Sequence, residues 1–166
     1  MKRILILLLI GRCYATPYND CFIKASNQYN VPKEILIAIA SVESKFKSDA
    51  INYNTNGSYD LGIMQINSSW FPQLEKSGIN KEVLKSPCTN IMVGTWILAQ
   101  KIQTYGFNWT AIQRYNGSDT QLKYAQKVYT AIKKYYPNLS HSGKIVFNNT
   151  ESSIIKQKKS HFLYVN

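Results

Sequence analysis

Apolar residues recur along this chain mostly at helical spacing, and the pattern predicts a largely helical protein. Pro32 suits the first turn of a helix, while Gly106 and Pro137 are typical of positions that follow a helix. The segment Ser118 to Gln121 resembles a capping box, which opens a helix. The predicted helices run from about Tyr18 to Tyr29, Lys33 to Ser44, Thr89 to Tyr105, Trp109 to Tyr115, and Ser118 to Tyr136.

The helix predicted from Lys33 to Ser44 is apolar on every face between Ile35 and Ala40, so we expect it to be buried at the centre of the domain. The stretch between Phe46 and Asn67 is polar and rich in turn-forming residues, which is typical of a small hairpin or an irregular loop. The sequence therefore predicts a mostly α (α+β) domain with a small loop or β insertion after the central helix.

The two ends of the chain differ from this central part. Residues 1–15 begin with Lys2 and Arg3, continue with a short apolar run and end in small residues, as secretory signal peptides do. The alternative, a membrane anchor, is less favoured because the apolar run is too short to span a bilayer. We predict an exported, periplasmic domain at 16–139 without stable membrane insertion, followed by a flexible basic tail at 140–166.

Removal of the signal peptide leaves Cys21 and Cys88, and two cysteines in an exported protein suggest a disulfide, with two free thiols as the alternative. His141 and His161 both fall in the predicted tail, so no metal site is expected. The chain carries 20 Lys and Arg against 9 Asp and Glu, a net charge of +11. Because these cations are dispersed and the chain is predicted to be exported, the charge favours a cell wall or membrane surface over nucleic acid.

Glu43 is the first candidate for chemistry, because it stands at the carboxyl end of the most apolar helix. Burial and the negative end of a helix dipole both raise the pKa of a carboxyl group. A raised pKa is what a general acid needs near neutral pH. The alternative is a solvated glutamate at a helix end.

Three short motifs then follow in order: Glu43-Ser44, the run Gly62-Ile63-Met64-Gln65, and Ala111 to Asn116, which contains Tyr115-Asn116. They resemble the ES, GLMQ and AYN motifs of lytic transglycosylases with the goose-lysozyme-like fold. The resemblance covers about Asp20 to Tyr136. The segments flanking the motifs are similar to the subgroup associated with type III and type IV secretion: they begin at Trp70, Pro87 and Gly94.

This resemblance implies that Glu43 is both catalytic acid and catalytic base. It also implies substrate contacts from Ser44, Gly62, Met64, Gln65, Tyr115 and Asn116. Gly62 would let the backbone approach the substrate, and Met64 would lie against a sugar ring. Met64 and Tyr115 also fit ordinary core positions.

The segment from Glu43 to Asn67 also resembles the active-site region of animal-type lysozymes, in which an Asp precedes a Gly-Ile-Leu-Gln-Ile-Asn run. On that reading Asp60 is a second catalytic carboxylate. The alternative is a turn residue whose side chain bonds nearby backbone N–H groups.

Together the resemblances imply cleavage of peptidoglycan strands between N-acetylmuramic acid and N-acetylglucosamine, without a cofactor, to a 1,6-anhydro product. A type III or type IV secretion system is the implied partner. Two rival functions remain open: a lysozyme-type hydrolase that uses Glu43 and Asp60, and a non-catalytic wall-binding protein of secretion assembly.

Overall fold

The computed structural model describes residues 16–117 and 121–141. A three-stranded antiparallel sheet interrupts a helical domain, and a short 3-10 turn, Ser68–Trp70, follows the sheet. The strands are β1 (Ile51–Tyr53), β2 (Tyr59–Leu61) and β3 (Ile66–Asn67), and the helices are α1 (Asn19–Tyr29), α2 (Lys33–Ser44), α3 (Phe71–Glu75), α4 (Lys81–Leu84), α5 (Pro87–Tyr105), α6 (Trp109–Tyr115), α7 (Lys123–Tyr135) and α8 (Pro137–His141).

Each of the five predicted helices has a counterpart in the structure, whereas α3 and α4 lie in a stretch for which no helix was predicted. The other differences lie near the carboxyl end. The predicted capping box does not begin α7 at Ser118, because α7 starts at Lys123 after Leu122, which has a left-handed backbone (φ 49°). Residues 118–120 of that box lie outside the described residues. Pro137 ends α7 as predicted but also begins α8, which crosses the expected domain boundary at 139 and reaches His141. The rest of the predicted tail, like the predicted signal peptide, is outside the described residues.

Helix α2 occupies the centre of the domain, as its sequence predicts. Every side chain from Ile35 to Ala40 is buried, and the helix contacts α1 on one side and α7 on another. Burial of each large aliphatic side chain stabilises the fold by about 1.5–3 kcal/mol. No helix in the described part of the chain is both long and apolar enough to cross a membrane.

A disulfide between Cys21 and Cys88 joins α1 to the first turn of α5, which confirms the predicted pairing. The two residues are 67 positions apart in the sequence, with Cα atoms 5.0 Å apart. In the chain-entropy model, a closed loop of this length stabilises the folded state by about 4 kcal/mol.

The small sheet follows α2, where the sequence predicted a small loop or β insertion, and shows that this insertion is a β-sheet. Its register sets three polar residues in one cross-strand row, since Asp60 pairs with Asn52 on β1 and with Asn67 on β3. Side chains of directly paired residues point to the same face of a sheet. The sheet therefore presents a carboxylate flanked by amides close to the end of α2.

Candidate active site

An open cavity of about 690 Å³ lies beside the carboxyl end of α2. Its walls come from the last turn of α2, the sheet with its β1–β2 hairpin, the Ser68–Trp70 turn, α5 and the end of α6. Both Glu43 and Asp60 line this cavity. Among the described residues, no group of three His, Cys, Asp or Glu side chains could hold a metal ion.

Glu43 reaches the cavity because the end of α2 is fixed in position. Lys45 and Phe46 both have a left-handed backbone (φ 54° and 64°), so the helix stops immediately after Ser44. The buried Ser44 hydroxyl donates a hydrogen bond to the Ile63 carbonyl oxygen at 2.9 Å. This contact ties the helix end to the turn between β2 and β3. Ser44 is not among the residues that line the cavity, so its observed role is structural.

The surroundings of Glu43 suit a proton donor. Burial raises the pKa of its carboxyl group from 4.5 to about 7, against a hydrogen bond from Tyr124 that lowers it. The negative charge of Asp60 raises this pKa further, and the positive charge of Lys127 lowers it. At neutral pH the group is therefore divided between its protonated and ionised forms.

Tyr124 is a site residue that the sequence motifs did not indicate. Its hydroxyl donates to Glu43 Oε1 at 2.5 Å, although the two residues are 81 positions apart. The ring is buried in α7 and stacks on Tyr115, with centroids 6.5 Å apart. In the sequence, Tyr124 occupies one of the apolar positions of an amphipathic helix, and nothing distinguishes it there from a core aromatic residue.

Asp60 lies in β2, and its carboxylate is held by side-chain amides. Asn67 Nδ2 donates to Oδ1 at 2.7 Å, and Asn54 Nδ2 donates to Oδ2 at 3.0 Å. Such donors stabilise negative charge on a carboxylate. The alternative of a turn residue that bonds backbone N–H groups does not fit this strand position.

Two of the predicted substrate contacts lie in the core instead of the cavity wall. Met64 is fully buried, so its side chain is a core residue and cannot lie against a sugar ring here. Gly62 has φ +80°, and a Cβ built on it would stand 2.3 Å from Asn90 Nδ2. Position 62 must be glycine, because any side chain there would displace the Asn90 amide.

Asn90 is the buried residue that shapes this part of the site. Its Nδ2 donates to the carbonyl oxygens of Leu61 and Leu84, at 3.0 and 3.1 Å. Its Oδ1 accepts from the Met64 backbone N–H at 2.8 Å. One side chain from α5 thus forms hydrogen bonds with backbone groups of the turn that follows Asp60. These bonds fix the position of this part of the cavity wall.

The other predicted contacts do line the cavity: Gln65, Tyr115 and Asn116. Gln65 Nε2 donates to the Gly62 carbonyl oxygen at 2.7 Å, while its Oε1 accepts from Asn52 at 2.6 Å. The Tyr115 hydroxyl donates to the Met64 carbonyl oxygen at 2.7 Å, and burial raises its pKa well above 10. Its ring is therefore part of the wall, whereas its hydroxyl already has a protein partner.

The chain matches a known protein family. The family model described as the transglycosylase SLT domain matches residues 20–137. The chain is 40% identical to the invasion protein IagB of Salmonella typhi over 126 residues, which cover 72% of this chain and 79% of that protein. It is 37% identical to protein IpgF of Shigella flexneri over 141 residues, which cover 78% and 89% of the two chains.

The fold is similar to that of a solved lytic transglycosylase, the inactive E503Q mutant of Slt from Pseudomonas aeruginosa, with a TM-score of 0.61. The two are 21% identical, and the match covers 76% of this chain but 25% of that much longer one. This likeness concerns the fold. The extent of the family match, more than half of the sequence, shows that this chain belongs to the SLT family of peptidoglycan lytic transglycosylases.

Proposed function

We propose that the protein cleaves the β-1,4 bond between N-acetylmuramic acid and N-acetylglucosamine and leaves a 1,6-anhydromuramoyl product, with Glu43 as acid and then base. The observation that carries this proposal is the Glu43 carboxyl group, which lines an open cavity with a pKa raised to about 7. A group with this pKa can give up and regain a proton near neutral pH.

In the first step, protonated Glu43 donates its proton to the oxygen that joins the two sugars. The bond between that oxygen and the muramoyl C1 breaks, and the N-acetylglucosamine side leaves as an alcohol. Positive charge develops at C1 in an oxocarbenium-like state. The Tyr124 hydroxyl, 2.5 Å from Oε1, donates to the carboxylate that remains.

In the second step, the C6 hydroxyl of the same muramoyl sugar attacks C1 and the ring closes. The Glu43 carboxylate takes the proton that this hydroxyl loses, so the carboxyl group returns to its starting state. No water is consumed, and the atoms balance between one glycan strand and two products.

Asp60 acts on the charge that forms between these steps. Its carboxylate lines the same cavity and is held by Asn54 and Asn67. A fixed negative charge stabilises an oxocarbenium-like state more than the neutral ground state. Gln65, Tyr115 and Asn116 bind the sugars along the wall.

The presence of two carboxylates in one cavity also favours a second candidate, a lysozyme-type hydrolase. In that reaction Asp60 either attacks C1 or stabilises the positive charge at C1 until water attacks. That reaction would leave a reducing end. The two candidates use the same residues and differ in the nucleophile that reaches C1.

The cellular role follows from the resemblance of the flanking segments to secretion-associated enzymes. We propose that the protein acts in the periplasm, after removal of residues 1–15, and opens the wall locally for a secretion apparatus. The name of the relative IagB, an invasion protein, supports this direction.

Mass spectrometry of the fragments released from purified cell wall tests the proposal. We expect 1,6-anhydromuramoyl ends from the native enzyme and none from Glu43→Gln. Reducing-end muramoyl products would favour the hydrolase, and intact wall after prolonged incubation would leave the non-catalytic alternative.

A further inference from the structure

Two cations lie on the helical wall of the cavity that holds the carboxylates. Lys101 comes from the last third of α5, and Arg114 comes from α6, directly before Tyr115. Both line the same cavity as Glu43 and Asp60. Among the residues that line it, these four carry the charges, so the cavity has acidic groups from α2 and the sheet and basic groups from α5 and α6.

Neither cation pairs with a carboxylate in the described part of the chain, where the salt bridge is between Lys85 and Glu82. Each lies over an aromatic ring instead. Lys101 Nζ is 5.8 Å from the centroid of the Trp70 ring, and Arg114 Cζ is 5.6 Å from that of Tyr105. Contacts of this kind restrain a cation without neutralising it, so both charges remain available to an anion.

The ring below Lys101 is itself fixed. Trp70 packs edge-on against Trp96 of α5, with centroids 5.4 Å apart, and both rings are half-buried. The Lys101 stem is half-buried beside them, and Arg114 is also half-buried. These side chains therefore lose less conformational freedom on binding than free surface cations would.

We infer that Lys101 and Arg114 bind carboxylates of the peptide stems that branch from the muramoyl sugars, and that the enzyme consequently prefers strands whose stems carry free carboxylates. This inference rests on the proposed function, because it concerns the same cavity and substrate. The sugars of an intact strand are neutral where the lactyl group is joined to a peptide. The carboxylates of the strand belong to the stems. Each stem is attached to a muramoyl sugar, the sugar on which Glu43 and Asp60 act.

The cations do not serve the acid itself. The positive charge that lowers the Glu43 pKa is that of Lys127 on α7. A contact with the stem would stabilise the bound substrate and the transition state equally. We therefore expect it in KM rather than in kcat.

The test uses soluble, uncrosslinked strands in two forms with their amino groups acetylated: one with free stem carboxylates and one with those carboxylates converted to amides. The two forms match in size and differ in negative charge. The measured quantity is the ratio of kcat/KM for the free form to that for the amidated form. We expect a ratio of about ten for the native enzyme, the effect of about one charge-assisted hydrogen bond, and we expect it to fall as salt is added.

The double variant Lys101→Gln/Arg114→Gln should bring this ratio close to one. The matched control Lys24→Gln/Lys76→Gln removes the same charge from exposed positions outside the cavity and should keep the native ratio. Lys101→Arg/Arg114→Lys retains both charges and should keep most of it.

A native ratio near one overturns the inference without any variant, and so does a double variant that keeps the ratio or a control that loses it. In each of these cases the anhydro product still forms, so the proposed function stands. Absence of anhydro product from both substrates would instead overturn the proposed function and this inference with it.

Discussion

Glu43 and Asp60 line one cavity, but the chain holds them by different means. Glu43 ends a helix that runs through the core, and its contact is a tyrosine hydroxyl from a distant helix. Asp60 belongs to a three-residue strand, and its contacts are two amides from the same small sheet and its hairpin. One carboxyl group is largely buried at a helix end, and the other is held by two side-chain amides.

The difference shows how two carboxyl groups can take separate roles. Apolar burial disfavours charge, and the pKa of Glu43 rises to about 7. Two side-chain amides hold the Asp60 carboxylate in place. The first group can exchange a proton during the reaction, and the second can act as a fixed charge.

The largest expected effect comes from Glu43→Gln. The amide keeps the shape of the side chain but cannot transfer the proton, so wall cleavage should fall by at least about 1,000-fold. Release of soluble fragments from purified wall measures the loss, and circular dichroism checks the fold. A folded variant that retains a tenth of the native rate would remove Glu43 from the mechanism.

The same substitution should stabilise the protein at alkaline pH. The folded-state pKa of Glu43, about 7, lies above its ordinary value of 4.5, so its contribution to stability is complete below 4.5 and is lost as the pH rises through 7. Gln carries no charge to bury, and the free energy of unfolding of the variant should exceed that of the native protein by up to about 3 kcal/mol at pH 8.

Urea unfolding at pH 4 and pH 8 measures this gain, which should be absent at pH 4. Glu75→Gln is the matched control, because Glu75 is an exposed carboxyl group of α3 that lies outside the cavity. An equal gain at both pH values would mean that burial of charge is not the cause.

A smaller effect is expected from Asp60→Asn, which removes the fixed charge but keeps the strand. Turnover should slow by about 100-fold, in kcat more than in KM, while the product remains the 1,6-anhydro sugar. Because the charge of Asp60 raises the Glu43 pKa, the alkaline fall in kcat/KM should also move to lower pH. A near-native rate and an unmoved pH profile would confine Asp60 to a structural role.

The smallest effect is expected from Tyr124→Phe. The lost hydrogen bond lowers the Glu43 pKa in the native protein, so its removal should shift the alkaline fall in kcat/KM to higher pH. The rate at the optimum should drop by no more than about tenfold, the worth of one hydrogen bond to a charged group. Tyr129→Phe, on an exposed position of the same helix, should leave the profile in place.

Part of this arrangement could be predicted from the sequence. The burial of α2 followed from its uninterrupted apolar run, and the position of Glu43 followed from where that run ends. The Cys21–Cys88 disulfide was predicted from the two cysteines that remain if residues 1–15 are removed on export. The short strands could not be distinguished in advance from an irregular loop, because strands of two or three residues leave too little alternation to detect.

The structure departs from the predicted substrate contacts at two residues. Met64 and Gly62 lie within a motif, but a motif does not state which of its residues face outward. The Met64 side chain is buried in the core, and the Asn90 side chain fills the space beside Gly62. Sequence periodicity is undefined in a tight turn, so the direction of each side chain there depends on the element packed against it.

The sequence by itself indicated Glu43 as the candidate acid, because this residue stands at the end of an apolar helix and belongs to a motif that resembles those of lytic transglycosylases. Only the tertiary structure decided which groups meet that acid. Tyr124 comes from 81 positions away, Asp60 from a separate sheet, and Lys127 from α7. A helix and its apolar pattern depend on residues close together in the chain, whereas the burial and the pKa of a carboxyl group depend on every group close to it in space.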